Sequence, residues 1–424
     1  MKYIVTLFLL LPTLVFSQGW ETTFDNGQGW SVQQTTDGGY IVVGGTYSNT
    51  LYDICLIKTD ENGVTLWTKT YDGGGNDFGY SVQQTADGGY IITGNITLDT
   101  INNSDVSLIK TDEYGDTLWT RTYGGVGFDC GKSVQQTIDE GYIVTGITDL
   151  LIRNGREIYL IKTDVNGDTL WTKTYGGEYS DSGYSVQQTT DGGYIITGSI
   201  GISEYSSDLY LIKTDGNGDT LWTKTYGENY WSGGHSVQQT TDGGYIITGA
   251  DGTSTHMNLY LIKTDGNGDT LWTKTHSVYN WTNGWSGQQT ADGGYIITGY
   301  TYSFDYDRDV FLIKTDGNGD ILWTRICTYG DNSWDFGYSV QQTTDEGYIV
   351  TGITESFGMG TDIYLIKTDE NGFITTIIEI PTPNPNRKLI KIIDLLGRDI
   401  IYPKKNTPYI EIYDDGTSQK KIIK

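Results

Sequence analysis

The chain has 424 residues with 27 Lys and Arg against 53 Asp and Glu, a formal net charge of −26, which excludes the basic footprint that nucleic-acid binding requires. Glycine numbers 58 without a three-residue period, proline only 6, and tyrosine and tryptophan 33 and 12, which excludes collagen and simple disorder. Three cysteines cannot build a disulfide framework, and the composition is that of a glycine-punctuated, aromatic-rich all-β protein.

Residues 1–17 read as a secretory signal peptide. Lys2 supplies the positive start, and Ile4 to Phe16 is mostly apolar and too short to span a bilayer. Val15 and Ser17 precede the expected cut at Gln18, and no cysteine follows to take a lipid. No later segment is apolar enough for a membrane span, so the mature chain is expected to be soluble and exported.

Residues 18–380 repeat one unit. The string S-V-Q-Q-T, once S-G-Q-Q-T, starts at Ser31, Ser81, Ser133, Ser185, Ser236, Ser286 and Ser339, in steps of 50 to 53. Each copy continues through D-G-G-Y or D-E-G-Y, an I-I-T-G-like run, a variable stretch, L-I-K-T-D, an N-G or Y-G turn and, usually, L-W-T-K-T. A period near 50 indicates a propeller blade or a solenoid coil. In the fourth unit, residues 185–190 are expected as strand A, 194–197 as B, 209–213 as C and 221–226 as D. Strands B and C are apolar on both faces, as in a sheet sandwiched between neighbouring sheets.

The tryptophans favour a ring over an open solenoid. Strand D carries Trp67, Trp119, Trp171, Trp222, Trp272 and Trp323, six for seven units, and the seventh unit has Thr376 at that place. Trp20-Glu-Thr-Thr-Phe24 copies W-T-K-T-Y at the other end of the chain. The expected fold is therefore a seven-bladed β-propeller of four-stranded blades, closed by an N-terminal strand that completes the seventh blade and removes the open edges. Phe373 to Ile380 is the competing candidate for that strand.

Residues 381–386, Pro-Thr-Pro-Asn-Pro-Asn, read as an extended linker. Residues 387–424 carry nine basic and five acidic groups, net +4, against −30 for everything before them. The P-N-P entry (Pro383 to Pro385), I-I-D-L-L-G-R (Ile392 to Arg398), I-Y-D-D-G (Ile412 to Gly416) and the basic end together resemble the C-terminal sorting domain of type IX secretion cargo, with the strands between Gly397 and Tyr409 compressed. The resemblance implies a small β domain that engages the type IX machinery. It also implies a protein released from, or held on, the outer surface of a Gram-negative cell.

The repeated motifs read as structural. The D-G-N-G-D turns (Asp215 to Asp219, Asp265 to Asp269) lack the glutamate of a calcium loop, and Asn-Gly is a hairpin signal. They resemble the Asp-box of sialidase propellers and the tryptophan motif of quinoprotein propellers, both hairpin and blade-docking devices. The arginine triad that sialidase activity would imply is not recognisable among Arg121, Arg153, Arg156, Arg308 and Arg325. The lysines of I-K-T-D (Lys58, Lys110, Lys162, Lys213, Lys263, Lys314, Lys367) are expected with packed stems and heads near the following Asp. The paired glutamines are expected to bond neighbouring blades or line the channel. Cys55, Cys130 and Cys327 occupy unrelated repeat positions, and His235 and His276 stand where other units have Tyr. No metal site, resident cofactor or catalytic set is expected.

The A–B and C–D turns are nearly identical among units, whereas the B–C and D–A loops vary, which segregates variation to one face, where binding is expected. The D–A loops carry Tyr230, Trp231, Tyr279, Trp281, Trp285 and Trp334, with Asp77, Asp129, Asp181 and Asp335 beside them. Flat rings beside carboxylates suit sugar recognition. The expectation is a binding or adhesion module for glycan or a surface partner, centred on the loops entering blades five to seven. Trp231, Trp281, Trp285 and Trp334 would be stacking platforms. The aspartates would accept hydroxyls, calcium being the one ion they could recruit, and the acidic balance disfavours polyanionic glycans unless calcium bridges them. The alternatives are a polysaccharide lyase or glycosidase with loop-borne residues at the channel mouth, and a purely structural surface protein.

Overall fold

The computed structural model describes residues 19–374, except 49, 98–102, 151–154, 228–229, 279–280, 303–306, 328–333 and 357–359, and then 388–393, 398, 400, 408–413 and 418–422. The expected signal peptide and linker lie outside the described residues. The chain divides into two compact units, residues 1–375 and 376–424. Among the described residues no helix is long and apolar enough to cross a membrane.

In the fourth repeat the strands are Ser182–Gln188 (A), Tyr194–Ser203 (B), Ser206–Thr214 (C) and Thr220–Tyr226 (D), each antiparallel to the next. Strand A starts three residues earlier than the repeated string suggests, because Ser182 and Gly183 pair with Ser199 and Gly198. Strand D alternates, with Leu221 in solvent and Trp222 turned inward, whereas the first five residues of B, Tyr194 to Gly198, are continuously buried. The larger unit contains five four-stranded sheets and one eight-stranded sheet. The latter is the fourth and fifth repeats joined by a single parallel bridge, Ser207 to Trp231. The architecture is a multi-blade β-propeller.

The N-terminal strand Trp20–Phe24 lies antiparallel to Asp362–Thr368, in one sheet with Tyr348–Thr354 and Phe336–Gln342. Trp20 stands opposite Lys367 as Trp67 stands opposite Lys58. Phe373 and Ile374 carry no strand, and 375–380 lie outside the described residues.

The core lies between sheets. One cluster joins Ile195, Leu209 and Leu211 of the fourth repeat to Val237, Tyr245, Ile247 and Ile262 of the fifth. Another joins Val32, Tyr40 and Val42 to Ile349, Ile363 and Leu365, with Trp20 and Phe24 packed against it. Each strand-D tryptophan meets the D-G-G-Y or D-E-G-Y tyrosine of the next repeat edge-on: Trp222 lies 6.0 Å from Tyr245, and Trp20 lies 5.5 Å from Tyr40. The same ring lies over the next C–D turn, where a Cβ on Gly268 would come 2.7 Å from Trp222 and one on Gly63 would come 2.4 Å from Trp20. These glycines also have φ of 77° and 78°, so the turn needs glycine for its backbone and for its neighbour.

Two series of glutamine hydrogen bonds run around the innermost strands. The Gln33 carbonyl accepts the Gln84 backbone N–H at 2.6 Å, Gln83 accepts that of Gln136, and the series continues until Gln341 accepts that of Gln34 at 2.6 Å. The second glutamine runs the other way, Gln84 accepting from Thr36 and Gln34 from Thr344.

The repeat lysines correct one expectation. Their stems are packed, but each head pairs with the A–B turn aspartate of its own repeat and not with the Asp that follows it. Lys213 lies 2.9 Å from Asp191, and Lys58 from Asp37. The ammonium is buried and its aspartate sits at the surface. A second set crosses between repeats on the outside, as Lys173 to Asp219 at 2.8 Å.

The smaller unit contains a three-stranded antiparallel sheet of Leu389–Ile393, Pro408–Tyr413 and Ser418–Ile422.

Candidate functional site

Every strand A contains one residue too many. Its pairing with strand B shifts between Gly29 and Ser31, and likewise at Gly79/Ser81, Gly131/Ser133, Gly183/Ser185, Gly234/Ser236, Gly284/Ser286 and Gly337/Ser339. The residue skipped by the ladder is Trp30, Tyr80, Lys132, Tyr184, His235, Trp285 or Tyr338. A β-bulge leaves one residue unpaired and re-aims its side chain. The glycine before it is forced by the neighbouring repeat, since a Cβ on Gly131 would come 2.2 Å from Thr93 Oγ1.

The bulged side chains meet in a half-buried collar. Trp30 lies 4.2 Å from Tyr338 and 5.2 Å edge-on from Tyr80. Tyr338 meets Trp285 at 5.2 Å, Trp285 stacks on His235 at 4.3 Å, and His235 meets Tyr184 at 5.4 Å. Lys132 holds its ammonium 3.3 Å over the Tyr80 ring. Such contacts fix ring orientation. The collar, with Phe128, Ile147 and Arg156, lines a cavity of about 380 Å3. A second space of about 280 Å3 is lined by the valines and first glutamines of the same strands.

The cavity wall is rich in hydrogen-bond donors. The indole N–H groups of Trp30 and Trp285 have no partner among the described residues. His235 Nδ1 lies 2.7 Å from the Gly284 carbonyl; a carbonyl only accepts, so Nδ1 carries the proton and Nε2 is left as an acceptor. Burial holds this imidazole below its ordinary value, against the opposing effect of the Gly284 bond, so it is neutral at pH 7. Burial also pushes the phenols of Tyr80, Tyr184 and Tyr338 up, keeping their protons in place.

A groove of about 790 Å3 shares Tyr80, Phe128 and Arg156 with this cavity. It runs past Asn76, Asn95 and Thr97 of the second repeat to Asp149 of the third. The Arg156 guanidinium lies 4.9 Å over Phe128 and donates to Asp149 at 3.2 Å.

The residues singled out in the variable loops divide. Trp285 lines the collar cavity. Tyr230, Trp231 and Trp334 are exposed, at 69%, 43% and 46%, whereas Trp281 is half-buried. Trp281 leans edge-on to Tyr302 at 5.8 Å. Arg308 lies 4.3 Å over the Trp334 ring and 4.9 Å over Phe336, so one face of Trp334 is already covered. Tyr279 lies outside the described residues. Of the four tryptophans expected as platforms, only Trp285 borders the cavity.

The aspartates require a correction. Asp77, Asp129, Asp181 and Asp335 are 0–1% exposed and cannot present acceptors to a ligand. Asp77 accepts the backbone N–H of Gly73 at 2.6 Å and of Thr97 at 2.7 Å, and Asp181 does the same with Gly177 and Gly201. Asp129 accepts from Gly125, and Ser356 Oγ donates to Asp335. Asp77 and Asp181 thus tie their own loops back onto strand B. Asp77 also lies with Asp53 and Asp72 in a group whose carboxylate oxygens come within 4.8 Å of one another.

Apart from Trp285, the collar was not foreseen from the sequence. Its signal was the single column before each Ser of S-V-Q-Q, aromatic in five repeats, His in one and Lys in one. His276 bears out its reading as a tyrosine substitute: its Nε2 lies 3.2 Å from the Gly319 carbonyl, where Tyr226 donates to Gly268.

No family model matches this chain, and no curated protein matches it. Among solved structures it is similar to a polysaccharide lyase of family PL25, an ulvan lyase, at 12% identity and a TM-score of 0.54, over 85% of this chain and 98% of that one. It is similar to the Neurospora crassa Pan2 WD40 domain at 8% identity and a TM-score of 0.50, over 80% and 89%. It also matches Chaetomium thermophilum Sqt1 bound to the N-terminus of ribosomal protein L10, at 8% identity and a TM-score of 0.49, over 82% and 98%. At these identities the likeness to the first two is one of fold alone, and it agrees with a multi-blade propeller.

Proposed function

We propose that this protein is a carbohydrate-binding propeller of the cell exterior. Its sugar sits in the collar cavity and extends along the groove over the second and third repeats. The observation that carries the reading is the bulged collar: one residue per repeat leaves the strand ladder, and together they wall a cavity with flat rings and hydrogen-bond donors. Largely preformed pockets with aromatic walls and a few placed polar groups are what small ligands use. The site moves away from the exposed tryptophans of the fifth to seventh repeats, except for Trp285.

The ring is seven-bladed and closed by the N-terminal strand. The return of the glutamine bonds from Gln341 to Gln34 and the seating of Trp20 against Tyr40 support this. The role is binding and not catalysis, and no cofactor is required. Residues 1–17 direct export and residues 387–424 engage type IX secretion, leaving the protein secreted or on the outer surface of a Gram-negative cell.

A glycan array read for both binding and turnover tests the functional reading. The expected result is retention of oligosaccharides without cleavage. Trp285→Ala and Tyr80→Ala should each weaken retention roughly tenfold, by analogy with the ~1–3 kcal/mol of base stacking, measured well below each variant's melting temperature. Binding that survives both substitutions would remove the collar from the site, and product formation would replace binding with catalysis.

A further inference from the structure

The collar is not uniform. Six of its seven positions carry an aromatic or imidazole ring, and the seventh carries Lys132. Its ammonium lies over the Tyr80 ring, and among the described residues no carboxylate lies within ion-pairing distance of it. The seven buried repeat lysines each have an aspartate partner. In a chain of net charge −26, a half-buried cation without a counter-charge stands apart. Arg156, already paired with Asp149, is the second cation on the same cavity, and among the described residues no Asp or Glu lines it.

We propose that Lys132 is the specificity residue of the carbohydrate site and that the sugar it selects carries a carboxylate, as a uronate ring does. This rests on the carbohydrate reading above and deepens it. The ring stacks on the collar while its carboxylate takes the ammonium of Lys132, with Arg156 at the junction of cavity and groove. A charge-assisted bond in a partly desolvated cavity is stronger than a neutral one. The acidic surface does not oppose this, because a half-buried cation acts at contact range and distant surface charges are screened over about 8 Å at physiological salt. The general argument from net charge against anionic glycans therefore fails at this one place.

The test uses the full chain and a panel of uronate oligosaccharides, containing galacturonate, glucuronate or mannuronate, each beside its carboxyl-reduced counterpart. At least one acidic form should bind tighter than its reduced counterpart by roughly ten- to a hundredfold, the range of a hydrogen bond to a charged group. Lys132→Met should abolish that difference, read as the ratio of acidic to reduced affinity within the same variant. Lys132→Arg should keep most of it, and the preference should shrink with added salt. Equal binding of acidic and reduced forms, or a Lys132→Met protein that keeps the preference, overturns the inference and leaves the carbohydrate reading standing. No retention of any saccharide, acidic or neutral, by a protein with a native melting temperature overturns both.

Discussion

Asp191, Asp242 and Asp292 each accept from a threonine hydroxyl, a glycine N–H and a lysine ammonium. Burial alone would raise these carboxyls, but the bonds outweigh it and hold them at about 2, against an ordinary 3.8. Their contribution is present above pH 3.8 and is lost as pH falls through 2. Asp309 behaves in the opposite sense: burial first, then Asp335 and Asp307, push it up to about 6. A folded state that holds its proton more tightly than the unfolded chain gains stability as pH falls from 6 to 3.8, here on the order of 3 kcal/mol. Burial likewise raises Asp77, Asp105, Asp181 and Asp208. Denaturant midpoints should therefore rise between pH 7 and pH 5 and fall below pH 3.8. Asp309→Asn should raise the midpoint at pH 7 and flatten the rise toward pH 5. A steady decline from pH 7 downward would refute this assignment.

At the level of the strand, Trp20 and Trp222 occupy equivalent places, against Tyr40 and Gly63 or against Tyr245 and Gly268. Trp20→Ala and Trp222→Ala should therefore cost similar amounts, about 2–4 kcal/mol, the lower part of the range for large-to-small changes since both rings are half-buried. Deleting residues 18–24 should lower the melting temperature further and expose the edge of Asp362–Thr368. A peptide of residues 18–30 added in trans should recover part of the loss. A deletion with no thermal effect would mean that the strand is only an accessory. This pairing was legible because Trp20-Glu-Thr-Thr-Phe24 keeps the spacing of W-T-K-T-Y, and spacing is what a strand register reads. The collar was not. A bulge changes where a side chain points without changing the length of the repeat, so the column before S-V-Q-Q looked like one more strand position. The loop aspartates were visible as acids, but their burial follows from backbone N–H groups that only the folded loop brings to them.

For the molecule as a whole, the division into residues 1–375 and 376–424 makes the export reading separable from folding. A chain lacking residues 387–424 should keep the far-ultraviolet dichroism of the propeller and accumulate in the periplasm instead of reaching the cell surface. Surface delivery of the truncated chain would refute a sorting role for that segment. Leu389–Ile393 of the smaller unit follows an apolar run, whereas Ser418–Ile422 is largely polar. Their function rests on the resemblance of Pro383 to Gly416 to sorting domains.

The pairing of Trp20–Phe24 with Asp362–Thr368 also sets a timetable for biogenesis. Domains generally fold from the N-terminus during synthesis, yet here the first strand waits for a partner made almost last. A chain emerging from the ribosome, or crossing a membrane N-terminus first, carries an orphan strand and a cavity lacking its final wall, since Tyr338 is the last collar residue to appear. Long-range contacts of this kind slow folding. The nascent chain thus cannot complete this sheet until residues up to Thr368 have been made.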